Sequence, residues 1–223
     1  MENIFIIIPS RNEKGRVENV VRLVKSEGFH QIVVVDDGST DGSGYLAKKE
    51  GATVLRHKVN LGAGAATQTG ITYALQMGAD IIVTIDGDMQ HYPEDIHSLI
   101  KEMNSKNLDL VIGSRFLKKN EGIPQDRRIV NFLANIFSGI ITGLFVSDSQ
   151  SGMKAISAEF ASKLQFTFDG YEFCTEILKI AHQNKVKFGE VPISVHYDRQ
   201  LLNKGQSWRN VGRMVFRLIK YFT

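Results

Sequence analysis

Two pairs of aspartates set the chemistry this sequence can do: Asp86 and Asp88, separated by Gly87, and Asp36 beside Asp37. The first pair lies in Ile81-Ile82-Val83-Thr84-Ile85-Asp86-Gly87-Asp88-Met89-Gln90-His91-Tyr92-Pro93-Glu94-Asp95. Two carboxylates one residue apart offer hard oxygen ligands to Mg²⁺ or Mn²⁺, and Gln90 can add a neutral oxygen. Magnesium commonly takes only one or two protein carboxylates and completes its shell with water and substrate phosphate, so a pair is enough. The competing reading is a capped turn, with Pro93 in a first helical turn and Glu94 and Asp95 at a helix N-terminus. In Asp36-Asp37-Gly38-Ser39-Thr40-Asp41-Gly42-Ser43 the carboxylates can accept hydrogen bonds from a base or ribose hydroxyl, while Ser39 or Thr40 caps the next helix. An Asx-rich turn explains the same residues equally well.

Each pair stands where an apolar run stops. Residues 4–8, 32–35 and 81–85 read as strands buried on both faces, because they are almost wholly apolar or β-branched rather than alternating. In an open α/β sheet the carboxyl ends of such strands form the ligand crevice. Residues 52–55, 108–112 and 154–157 add further strands, the fifth in chain order running into Gly113-Ser114-Arg115. The planar fork of Arg115 at that edge suits phosphate oxygens. Helical spacing of apolar residues appears between the strands, at Val17, Val20, Val21 and Val24, and at Ile96, Leu99, Ile100 and Met103. Gly62-Ala63-Gly64 opens a helix reaching about Met77. Thr67 stands where a dinucleotide fingerprint needs its third glycine, so the small residues are read as allowing close packing on the sheet or phosphate approach to backbone amides. Tyr171-Glu172-Phe173-Cys174-Thr175-Glu176 opens another helix, and residues 186–188 and 191–197 read as a strand pair broken by Pro192.

With 223 residues the chain fits one large α/β domain over residues 1–207 and a short appendage over 208–223. Such a length buries roughly 70% of the unfolded surface. The single Cys174 excludes a disulfide framework and fits a reducing, cytoplasmic compartment. The apolar run before Pro9 is too short for a secretory signal or a spanning helix. A net charge of +3 is too weak to argue for nucleic acid. Its distribution is more telling: from residue 199 to the end there are six basic residues and no acidic one. Val211, Met214, Val215, Leu218 and Phe222 form an apolar stripe there beside Arg209, Arg213 and Arg217, the pattern of a helix lying on an anionic membrane surface, although core packing produces it too. Residues 129–146 are uncharged, but Asn131, Asn135, Ser138 and Thr142 make them too polar to span a bilayer alone. A helix packed partly on the domain and partly at a membrane interface is expected.

The ordered series resembles the family 2 glycosyltransferases with the GT-A fold: Ile8-Pro9-x-Arg11-Asn12-Glu13, Val35-Asp36-Asp37-Gly38-Ser39-x-Asp41, Asp86-x-Asp88 with Gln90 and Pro93-Glu94, and Gly113-Ser114-Arg115. Ser151-Gly152-Met153-Lys154 and Gly170-Tyr171-Glu172-Phe173 look most like the dolichyl-phosphate or polyprenyl-phosphate sugar transferase branch. The resemblance implies an open, mostly parallel twisted sheet with helices on both faces. It implies that Pro9, Arg11, Glu13, Asp36 and Asp37 line the nucleoside pocket and that Asp86, Asp88 and Gln90 hold metal and donor diphosphate. Arg115 and Arg128 would contact phosphates, and Arg199, Lys204 and Ser207 would belong to a loop closing over donor and acceptor phosphate. The implied partners are a nucleotide-diphosphate sugar, a polyprenyl phosphate and an anionic membrane surface on the cytoplasmic side, with a separate membrane subunit as a further candidate.

A polyprenyl phosphate already carries an anionic oxygen, so its glycosylation needs positioning and charge stabilisation rather than a general base. Backside attack would invert the anomeric centre. A transferase acting on a sugar hydroxyl would need a base, for which Glu172 or Glu176 is the candidate. A nucleotidyltransferase would want a glycine-rich basic N-terminal loop, and residues 9–15 hold one glycine. A lipid-binding module would leave the strand-end acids without a task.

Overall fold

A computed structural model describes residues 2–120 and 123–196. Seven strands form one sheet in the order β3-β2-β1-β4-β6-β5-β7. The strands are β1 (Ile4–Ser10), β2 (Gln31–Asp36), β3 (Thr53–Arg56), β4 (Ile81–Thr84), β5 (Leu110–Ser114), β6 (Lys154–Ser157) and β7 (Phe188–Pro192). Every pairing is parallel except those of β6, which runs antiparallel to β4 and β5. The expected open, mostly parallel α/β sheet is therefore what the chain forms.

Both faces are covered, which explains the unbroken apolar runs of the central strands. On one face Ile6, Ile8, Val34 and Val83 pack with Val17, Val20, Val21 and Val24 of α1 (Val17–Ser26) and Ile96, Leu99 and Met103 of α4 (Asp95–Lys106). On the other, Ile7, Val33, Val35, Ile82 and Ile112 pack with Ala66, Ile71 and Ala74 of α3 (Ala63–Gln76), Phe160 of α6 (Ala158–Ala161) and Ile177 and Leu178 of α7 (Phe173–Gln183). Helix α2 (Ser43–Lys49) lies between β2 and β3 in sequence, and α5 (Gln125–Thr142) between β5 and β6.

Three local expectations are corrected. Among the described residues, 186–196 do not make a strand pair: β7 is a single edge strand, parallel to β5, and includes Pro192 as its last residue. An edge strand tolerates proline because one side of it has no ladder to supply. Helix α2 takes no cap from Ser39 or Thr40, its N-cap being Gly42 at φ 87°. Ser39 is occupied elsewhere, its hydroxyl accepting from the Asn12 amide at 3.0 Å. Finally, the small residues at the start of α3 face the segment 168–170: a Cβ on Gly62 or Gly64 would collide with the carbonyls of Asp169 or Phe168. The Gly64 amide donates to the Asp169 carbonyl at 2.6 Å, so that amide is spent on protein and not on phosphate. Deeper in the helix Gly70 does give the close approach to the sheet, against Ile7.

No helix among the described residues is long and apolar enough to cross a membrane. The expected helix over 208–223 and the residues Arg199, Lys204 and Ser207 lie outside the described residues.

Candidate active site

Parallel strands β1, β2, β4 and β5 end at one edge, bringing Ser10, Asp36, the 85–88 segment and Ser114 to it. Because β6 is antiparallel, it begins where its neighbours end: Lys154 pairs with Thr84 and with Ile112. The loop leading into β6 is thereby delivered to the same edge. Topology, not sequence distance, sets Gly152 beside Asp86.

Asp86 rests against that loop so closely that any Cβ on Gly152 would overlap its carboxylate. The Thr84 hydroxyl holds the Gly152 carbonyl at 2.8 Å, and His91, itself buried, places Nε2 3.2 Å from Asp86 Oδ2. Desolvation pushes the Asp86 carboxyl up, but the His91 contact and the positive charges of Lys154 and Arg115 outweigh it and hold the group below the ordinary carboxylate range. The side chain is nevertheless 41% exposed, so one side of it opens outward. Asp88 has the opposite environment. Desolvation first, and then the charge of Asp86, push it up to about 6, against the partial relief of a 2.9 Å hydrogen bond from the Gln90 amide. Met89, between Asp88 and Gln90, adopts φ 68°, a left-handed conformation rare for a residue with a side chain.

The pair suits a divalent cation. One carboxylate is held low and its neighbour is pushed up, first by burial and then by the charge beside it, and a bound cation would favour the ionised form of both. Among the described residues no three His, Cys, Asp or Glu side chains cluster as a metal cage. Two carboxylates alone would leave a cation positions for water and phosphate. Gln90 stays beside the pair, its carbonyl accepting from the His196 amide at 2.9 Å.

Arg115 does not present its fork to the crevice. Nε and Nη2 donate to Asp148 at 2.6 and 2.7 Å, and the Arg115 amide donates to the same carboxylate at 3.0 Å. Asp148 is fully buried and Arg115 8% exposed. The bidentate geometry expected on phosphate is realised on protein. Arg128 donates Nη2 to the Asn120 carbonyl at 2.8 Å and Nε to that of Ile123 at 3.3 Å, and the residue remains exposed.

The expected nucleoside residues divide. Pro9 pairs with Val35 in the sheet, and Arg11 is exposed in the loop after β1. Glu13 accepts from Arg16 at 3.0 Å, and its negative charge reaches both Asp88 and Tyr171. Asp37 is consumed internally: its oxygens accept from the Leu61 and Gly62 amides at 2.8 Å each, and Oδ1 lies 2.8 Å from His57 Nδ1. Asp36 is fully buried, one oxygen accepting from the Ser39 amide at 2.8 Å and the other 3.6 Å from Arg56. For these two carboxylates the turn-forming reading describes the geometry.

Of the candidate bases, Glu176 is buried and accepts from the Thr167 amide at 2.8 Å and the Phe168 amide at 3.2 Å, so it braces the 167–168 turn. Glu172 is buried against Gly170. Tyr171 keeps 58% exposure while desolvation and the charges of Asp86, Asp88, Cys174 and Glu13 push its phenol up to about 12. Sequence reasoning gave no role to His91, Tyr171, Asp148, Gly152 or Lys154. Lys154 carried a usable signal, a lysine opening a short strand that the sheet turns out to bury.

The glycosyl transferase family 2 model matches residues 5–164, from β1 to just beyond α6. The UDP-N-acetylglucosamine–dolichyl-phosphate N-acetylglucosaminyltransferase of Methanococcus voltae is 33% identical over 238 residues, covering 97% of this chain and 94% of that protein. The polyprenol monophosphomannose synthase of Mycolicibacterium smegmatis is 28% identical over 232 residues, covering 99% and 87%. Among solved structures, glucosyl-3-phosphoglycerate synthase from Mycobacterium tuberculosis, in complex with Mn²⁺, uridine diphosphate and glucosyl-3-phosphoglycerate, matches with a TM-score of 0.76 at 22% identity over 98% of this chain and 77% of that one. At that identity the likeness shows the shared GT-A fold. With the family model spanning the strands that carry Asp36, Asp86 and Arg115, the chain belongs to the family 2 glycosyltransferases.

Proposed function

We propose that this glycosyltransferase moves a sugar from a nucleotide-diphosphate donor to a polyprenyl phosphate, with inversion, at a membrane surface. The observation that carries the reading is the Asp86–Asp88 pair just beyond the carboxyl end of β4, with Asp86 backed by Gly152 and open on its other side. Asp86 and Asp88, with Gln90, would hold Mg²⁺ or Mn²⁺, which supplies Lewis-acid neutralisation of the departing diphosphate. The presence of Mn²⁺ with uridine diphosphate in the mycobacterial synthase complex supports this choice.

The chain's own residues orient the donor and exclude wrong geometries. Glu13 and Tyr171 border the acids, and Arg128, exposed at the start of α5, is an arginine available to a phosphate. Arg115 acts at one remove, by fixing Asp148. The acceptor class is supported by the two relatives named for dolichyl-phosphate and polyprenol chemistry. It is supported also by Glu176, whose oxygens are committed to backbone amides, as a phosphate acceptor demands no base. Peripheral membrane attachment fits α5, on which Ile129, Phe132, Leu133, Ile136 and Ile140 are all exposed.

Radiolabelled nucleotide sugars presented with vesicles containing polyprenyl phosphate test the proposal. Label should pass to the organic phase. Transfer confined to a water-soluble glycan acceptor would instead favour a hydroxyl-directed transferase.

A further inference from the structure

We infer that Asn135 is a positioning residue that holds the Asp86 carboxylate in place through the loop of residues 147–152, an inference resting on the reading of Asp86 as a metal ligand. Asn135 belongs to α5, the helix whose exposed side carries Phe132, Ile136 and Ile140. Its amide group is turned to the loop and used on both sides. Nδ2 donates to the Ser147 carbonyl at 2.6 Å, and Oδ1 accepts from the Ser149 amide at 2.9 Å and the Ser149 hydroxyl at 2.8 Å. Between those two serines sits Asp148, gripped by Arg115.

The pinning continues to the carboxylate. The buried Lys154 ammonium donates to the Ser151 carbonyl, and the Thr84 hydroxyl donates to that of Gly152. Gly152 is the wall against which Asp86 lies. One loop of six residues is therefore fixed at its start by α5, in its middle by β5 and at its end by β4 and β6. Removing the Asn135 amide leaves the Ser147 carbonyl and the buried Ser149 amide without these partners, and an unmet buried polar group costs more than the bond it loses. The loop then has reason to shift, and with it the surface that orients Asp86. The effect resembles the loss of an outer-shell partner at a metal site.

His91 reports on the same carboxylate. Its Nε2 lies 3.2 Å from Asp86 Oδ2, its Nδ1 has no hydrogen-bond partner among the described residues, and the ring is buried. Any displacement of Asp86 must change the imidazole signal.

The test uses the full chain, histidine side-chain ¹H–¹⁵N spectra without metal, and calorimetric titration with MnCl₂ alone. Asn135→Leu keeps the volume and drops every loop contact. Ser149→Ala cuts the hydroxyl bond from the other side, along with the 3.2 Å bond that the hydroxyl accepts from Gln150 Nε2, keeps the amide bond, and serves if the leucine variant does not fold. Thr142→Val is the control for general loosening of α5, since the Thr142 hydroxyl donates to the Ser138 carbonyl at 2.7 Å and accepts from the Leu144 amide at 3.2 Å, bonds that do not reach residues 147–152. The expected result is a shifted His91 signal and roughly tenfold weaker Mn²⁺ binding in Asn135→Leu, a smaller change in the same direction in Ser149→Ala, and neither change in Thr142→Val. An unmoved His91 signal in both tether variants, or an equal shift in Thr142→Val, overturns the inference. Absence of Mn²⁺ binding by the unaltered chain would remove the metal reading, while the His91 signal still decides the tether.

Discussion

Arg115 meets Asp148 through two guanidinium nitrogens, at 2.6 and 2.7 Å, with both side chains buried. This pair fastens the carboxyl end of β5 to the loop that backs Asp86. Lysine at 115 keeps the charge and loses the fork. Breaking a buried pair leaves its partner uncompensated, so Arg115→Ala should lower unfolding free energy by about 3 kcal/mol, with Arg115→Lys in between. Urea denaturation checks this. Wild-type stability together with lost donor affinity would instead return Arg115 to direct phosphate contact.

A methyl group at 152 has nowhere to go except into the Asp86 carboxylate. Gly152→Ala should therefore weaken Mn²⁺ binding roughly 10–100-fold, the range seen when groups behind metal ligands are disturbed. Calorimetry on the purified variant measures it, and unchanged affinity would show that Asp86 does not depend on that wall.

Asp88 predicts a pH effect of definite sign. Its folded-state value, about 6, lies above the 3.8 of an ordinary free aspartate. Between those values the folded chain binds more protons than the unfolded one, so this group's contribution to stability falls as pH rises from about 4 through about 6. Asp88→Asn removes the titration. In EDTA the variant should melt higher than wild type at pH 7 and alike at pH 4, and with Mn²⁺ supplied it should lose most of the wild-type activity, because an amide is a poorer ligand for a hard cation. Scanning calorimetry at the two pH values decides it; equal melting at both would mean that Asp88 is not strained by its surroundings.

Membrane attachment predicts vesicle flotation. The exposed apolar residues of α5 and the basic residues beyond 199 should act together, each basic side chain near an anionic surface contributing on the order of 1 kcal/mol. Binding should weaken with salt. It should weaken also in Phe132→Ser with Ile136→Ser, and in a chain ending at Gln206. Equal flotation of all these forms would take α5 and the tail out of the membrane contact.

The sequence made the sheet edge readable because strands buried on both faces have no polar alternation, so the first acids after Ile85 and Val35 mark where they stop. What those acids do was less accessible. Asp86 and Asp37 look alike in sequence, but Asp37 is filled by the Leu61 and Gly62 amides, contacts made across more than twenty residues. Arg115 likewise finds Asp148 only because β6 enters the sheet antiparallel between β4 and β5. Asn135 has no local pattern that marks it, and the motif Ser151-Gly152-Met153-Lys154 marks Gly152 without saying that it walls Asp86. Pro192 misled in the other direction: it read as a breaker, although an edge strand can end on it.

The central claim is that the nucleophile is an anionic lipid phosphate that requires no general base. It is tested most directly by offering one radiolabelled donor, with Mn²⁺, to polyprenyl phosphate and to the polyprenol of the same chain length in identical vesicles. The account predicts organic-phase label only with the phosphate, and its loss in Asp88→Asn. Comparable labelling of the free alcohol would contradict it.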